Sequence, residues 1–66
     1  MSPKQLGATI RKIREERGIT QQQLAERASI TPSYLATLEA GERENPSLDI
    51  VRRLARALKV PLMDLL

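Results

Sequence analysis

Ser33, Ala36, Thr37 and Ala40 recur at helical spacing, and all four are small and uncharged in a chain that is 29% charged. Ser33 and Thr37 bring hydroxyls that can donate or accept hydrogen bonds, and Ala36 and Ala40 bring methyls. A solvent face built from ordinary helix formers would look similar. The residues of covalent catalysis are scarce elsewhere. The sequence has no His and no Cys, which removes the commonest catalytic base and the commonest zinc ligands. Glu15, Glu16 and Glu26 read as solvent-facing carboxylates, and no convergent set of acid, base and nucleophile forms around them. An enzyme is poorly supported. No cofactor, metal or small-molecule ligand is expected.

The elements that carry these residues follow from periodicity and punctuation. Leu6, Ile10 and Ile13 fall at i, i+4 and i+7, which predicts an amphipathic helix from 4 to about 17. Ser2 would cap it before Pro3, and Gly18 stops it after Arg17. Thr20-x-x-Gln23 is a capping-box pattern that opens a second helix, about 21–28, with Leu24, Ala25 and Ala28 buried. Ile19 and Leu24 are placed to form a hydrophobic staple across that start. Ser29, Ile30 and Thr31 make a tight turn. Thr31, Pro32 and Gly41 then bracket a third helix, 32–40, with Tyr34, Leu35 and Leu38 toward the core.

The segment GERENPS, residues 41–47, is the longest loop. Ser47 caps a fourth helix, about 48–58, whose apolar stripe is Leu48, Val51, Leu54, Ala55 and Leu58. Arg52, Arg53, Arg56 and Lys59 lie off that stripe and read as a solvated face, with Asp49 pairing Arg53. Pro61 begins a last short helical turn. The expectation is an all-α fold of five helices in one compact domain, residues 1–66, with no strand. The three-residue connection between the second and third helices forces a steep crossing, as in a helix-turn-helix.

Composition bounds the function. A domain near this size buries only about 60% of the surface its unfolded chain exposes. The 41% hydrophobic content, mostly Leu, Ile, Val and Ala, is enough for one core. Without Cys there is no disulfide and nothing that argues for an oxidising compartment. No apolar run nears the ~18 residues of a membrane span. The charged N-terminus lacks a signal-peptide core, so no membrane partner is expected and the cytoplasm is the default location. A net charge of +3 and a pI of about 10 hint at nucleic acid.

The stretch TQQQLAERASITPSYLATLEAGERENPSL resembles the helix-turn-helix family of the phage repressors and Cro, the lambda-repressor-like regulators. The match runs through Thr20, Gln21, Leu24, Ala25, Ala28, Ile30, Tyr34, Leu35, Leu38, Glu39, Gly41, Asn45, Pro46, Ser47 and Leu48. IRKIREERGIT looks like the family's first helix and LARALKVPLMDLL like its last two. Three positions depart from the pattern. Ser29 and Lys59 stand where Gly is usual. The loop is a residue longer than in many members and carries Glu42 and Glu44 beside Arg43.

The resemblance implies that the third helix lies in the major groove of double-stranded DNA. Gln22, Pro32, Ser33, Ala36 and Thr37 would then face bases. Arg14, Gln21, Thr31, Tyr34, Arg43 and Asn45 would face phosphates. It also implies a structural ion pair between Arg14 and Glu39. Without an Arg or Asn on the third helix's face, modest direct readout is expected, with some reliance on DNA shape. Gln21 also suits plain helix-start chemistry, and Tyr34 also suits a core aromatic with a wet hydroxyl. Leu62, Met63, Leu65 and Leu66 fit two roles equally: a cap on the core, or the contact of a homodimer. The function implied is a sequence-specific transcriptional regulator, expected to repress. The alternative is a helical protein-interaction or antitoxin-like module that keeps the fold, favoured by Glu42, Glu44 and the apolar C-terminus.

Overall fold

The computed structural model describes residues 3–42 and 46–66. Over these it has four α-helices, α1 Pro3–Glu16, α2 Gln21–Ala28, α3 Pro32–Glu39 and α4 Leu48–Leu58, followed by a 3-10 turn at Leu62–Asp64. No strand occurs among the described residues. The expected count of five helices is therefore corrected to four and a turn. The reason lies in the backbone. Pro61 stays extended, and Asp64, Leu65 and Leu66 each donate to the carbonyl three residues earlier, which closes a tighter winding than an α-helix.

Each helix start after the first is satisfied by a hydroxyl. Thr20, Thr31 and Ser47 accept from the backbone N–H of Gln23, Tyr34 and Ile50 at 3.1, 3.0 and 3.2 Å. The Gln23 side chain returns a bond to the Thr20 N–H at 3.0 Å, completing the capping box. The expected Ser2 cap lies outside the described residues.

The helix ends share one device. Ile19, Ile30, Glu42 and Val60 each donate to the carbonyl five residues earlier, while the preceding residue donates to the one three earlier. This double bond pattern needs a left-handed residue just past the helix. Gly18 and Gly41 take that conformation at φ 67° and 76°, and Ser29 and Lys59 take it at 57° and 60°. The two positions where the family favours Gly therefore do demand positive φ, and this chain meets the demand with a serine and a lysine.

The core joins all four helices and the last turn. Leu6, Ile10, Leu24, Leu35, Leu38, Leu54, Leu58 and Leu65 are buried, with Ala25, Ala28 and Ala55 filling the close approaches. Fully burying such a Leu or Ile contributes about 1.5–3 kcal/mol. Ile19, Ile30 and Val60, which follow the left-handed residues, pack against this cluster. The helix ends are thereby tied to the core. α2 packs on α3 and α4, and α1 on α3. Leu48, expected in the apolar stripe of α4, is instead exposed at the first residue of that helix.

Candidate nucleic-acid interface

α3 has two sides of opposite character. Leu35 and Leu38 are fully buried, and Tyr34 packs half-buried against the same core. The other side presents Ser33, which is exposed, and Ala36 and Thr37, which are half-exposed. Pro32 lies exposed in the first turn. The hydroxyl oxygen of Thr31 caps the helix by accepting from the Tyr34 N–H. The hydroxyl of Thr37 instead donates to the Tyr34 carbonyl at 2.7 Å.

At the far end of α3, Glu39 is buried, its side chain only 3% exposed. A carboxylate removed from water is costly unless its oxygens are fully used. Here Oε2 accepts from Arg14 Nε at 2.7 Å, and Oε1 accepts from Arg14 Nη2 at 3.1 Å and from Gln21 Nε2 at 2.9 Å. Arg14 also donates through Nη1 to the Ile19 carbonyl at 2.8 Å. The side-chain hydrogen bond to Glu39 raises Arg14 above the ordinary arginine range. The predicted ion pair is therefore present, bidentate and sheltered.

Gln21 enlarges the pair into a network that links α1, α2 and α3. A carboxylate can only accept, so the amide must turn its NH₂ toward Glu39. One N–H of that group and two of the five guanidinium N–H bonds of Arg14 remain for a further acceptor. Gln22, beside it, is exposed in the first turn of α2.

The remaining predicted positions divide. Arg43 and Asn45 lie outside the described residues. Among the C-terminal leucines, Leu65 is 2% exposed and Leu62 packs half-buried against the core, which gives both the role of a core cap. Leu65 is therefore corrected as a dimer contact, because its side chain is already enclosed by its own fold. Met63 and Leu66 are exposed, at 81% and 57%.

Sequence reasoning missed Gly7. It is buried in the middle of α1, and a Cβ built there would collide with the Leu38 carbonyl oxygen and come within 2.9 Å of that of Glu39. Its missing side chain lets α1 lie against the last turn of α3, where Arg14 meets Glu39. A lone glycine inside a helical pattern is the signal that could have found it.

Residues 10–65 match the helix-turn-helix family, and the chain belongs to that family. The immunity repressor of Bacillus phage phi105 is 47% identical over 55 residues, covering 83% of this chain and 38% of that repressor. This chain thus spans well under half of that relative. The restriction-modification controller protein C.AhdI from Aeromonas hydrophila has a similar structure, with a TM-score of 0.92 and 31% identity over 97% of this chain and 96% of that one. So does SinR, the master regulator for biofilm formation, in its complex with DNA: the TM-score is 0.86, with 32% identity over 91% and 95% of the two chains. No described helix is long and apolar enough to cross a membrane.

Proposed function

We propose that this chain is the DNA-binding domain of a transcriptional repressor, which lays α3 in the major groove of double-stranded DNA. One observation carries the reading. α3 turns an uncharged face of small side chains to solvent while its opposite side is core, and its last turn is locked by Glu39 to the first turn of α2. A groove about 12 Å wide admits a helix whose outer side chains are short. Ser33, Ala36 and Thr37 would touch bases, with Gln22 and Pro32 at the edges of that contact. Gln21, Arg14, Thr31 and Tyr34 would hold phosphates on either side. Arg43 and Asn45 would extend that grip along the loop.

A small domain of this kind binds a single half-site weakly, and a two-fold pair would read half-sites about 34 Å apart. Met63 and Leu66 are the side chains we assign to the pairing contact. The same two residues favour the second reading, a protein-interaction module that retains the fold.

One experiment separates the readings: fluorescence anisotropy against a randomised duplex pool at two salt concentrations, with selection of the bound fraction. Binding that weakens steeply with salt, and a bound pool that converges on a palindrome, is the expected result. No binding at low salt would move the function to a protein partner.

A further inference from the structure

Thr37 stands in the middle of the exposed face of α3, and its hydroxyl proton is committed within the helix, to the Tyr34 carbonyl at 2.7 Å. A threonine hydroxyl has one proton and two lone pairs. What remains for a partner outside the helix is an acceptor, with the side-chain methyl beside it. The Ala36 methyl adjoins it on the same face, and no Lys, Arg, Asn or Gln lies on α3. This stretch of surface therefore offers lone pairs and methyl groups, and Ser33, one turn earlier, supplies the face's other hydroxyl.

The four base pairs present different edges to such a surface in the major groove. Guanine shows two acceptors, N7 and O6, which confront the lone pairs of Thr37 without a proton between them. Cytosine shows an amine but no methyl. An A·T pair shows the adenine N6 amine and the thymine methyl on either side of the thymine O4, so it is the one pair that offers both a donor to the hydroxyl and a methyl to the methyls. Donating to guanine would require the Thr37 hydroxyl to abandon its short bond to Tyr34.

We infer that Thr37 selects an A·T base pair, its Oγ1 accepting from the adenine N6 amine while the Thr37 and Ala36 methyls cover the thymine methyl. This rests on the groove reading of α3 and adds to it the identity of the base pair.

The test uses the duplex recovered from the selected pool, with two base analogues and two variants. Purine in place of adenine removes the N6 amine. Deoxyuridine in place of thymidine removes the methyl. Thr37→Val keeps the side-chain shape and loses the oxygen, and Thr37→Ser keeps the hydroxyl and loses the methyl. An A·T pair is expected at one position of the half-site. Loss of the amine there should weaken the wild-type protein about tenfold and leave Thr37→Val unaffected, while Thr37→Ser stays sensitive to it. Loss of the thymine methyl should weaken the wild type and Thr37→Val alike. Thermal melts establish that both variants fold. A G·C pair fixed opposite Thr37, or equal sensitivity to the amine in wild type and Thr37→Val, would overturn the assignment and leave the groove reading standing. A pool that never converges would remove both.

Discussion

Gln21 Nε2 donates to Glu39 Oε1 at 2.9 Å, and this bond joins the first turn of α2 to the last turn of α3. The amide assigned to a phosphate is thus oriented by a carboxylate. Arg14 supplies the positive charge that offsets that carboxylate. On the proposed reading, one network both orients the helix pair and grips the DNA backbone.

Glu39→Ala should therefore destabilise the fold. It leaves the guanidinium of Arg14 sheltered without its partner, and breaking a buried pair this way costs about 3–5 kcal/mol. Because a domain of this length holds only about 3–10 kcal/mol in total, a large fall in melting temperature is expected. Glu39→Gln, which keeps an acceptor but not the charge, should fall between that variant and wild type. Equal melting temperatures for all three proteins would remove the pair from the account.

The pH dependence of this pair has a definite sign on the arginine side. Arg14 is raised in the folded state, so its contribution is complete at every pH below the ordinary arginine range. It declines only as pH climbs through the raised value. A melting temperature measured from neutral to moderately alkaline pH should show no loss that Arg14→Gln abolishes.

Gln21→Ala should weaken DNA binding about tenfold on every duplex without changing which sequence is preferred. A phosphate contact carries position and no sequence information. The amide is neutral, so the slope of affinity against salt should stay that of the wild type. Anisotropy on the selected duplex and on a scrambled one checks both statements. A change in base preference would place Gln21 at a base edge instead.

Two glycines should resist substitution for different reasons. Gly7→Ala adds a methyl where the Leu38 and Glu39 carbonyls already lie, and should cost about 1–3 kcal/mol despite alanine's better helix propensity. Gly18 has nothing within 4 Å of an added Cβ, and only its φ of 67° opposes one. Gly18→Ala should cost about 1–2 kcal/mol, all of it from backbone conformation. Denaturant melts measure both costs, and anisotropy under native conditions should show weaker DNA binding for Gly7→Ala alone, since only it disturbs the seat of α3.

Ser29→Gly and Lys59→Gly are expected to raise stability by about 0.5–1 kcal/mol each, because both positions hold a left-handed conformation that costs a side-chain-bearing residue. Their helices end in the same bond pattern as the two that use glycine. Thermal melts of the single and double variants measure the gain. Ser29→Gly keeps the backbone carbonyl that accepts from Arg53 at 3.3 Å, so that contact is unchanged, and a fall in melting temperature would count against the conformational cost.

Local signals carried the starts and ends of helices into the sequence plainly. The Thr20–Gln23 box, the Thr31 and Ser47 caps and the stop at Gly18 are chemistry between neighbours, and each is found where the residues placed it. The Arg14–Glu39 pair came from the family resemblance, because partners 25 residues apart leave no local mark. The bond from Gln21 to Glu39 was missed for the same reason, although both residues had been singled out. Gly7 was missed because a glycine's value here is the carbonyl it admits, which belongs to another helix. The last helical turn was overestimated since apolar residues in a short run do not distinguish a 3-10 winding from an α-helical one. For the C-terminal leucines, composition left core and contact equally open, and only tertiary placement separates Leu65 from Met63 and Leu66.

α3 is eight residues long, and its buried anchors, Leu35, Leu38 and Glu39, share no position with Ser33, Ala36 and Thr37. Its vocabulary and its scaffolding are thus written in different letters of the same short word. Mutations can change the exposed letters without first unfolding the helix, so on the proposed reading a lineage built on this chain can acquire a new operator by steps that each leave a folded protein.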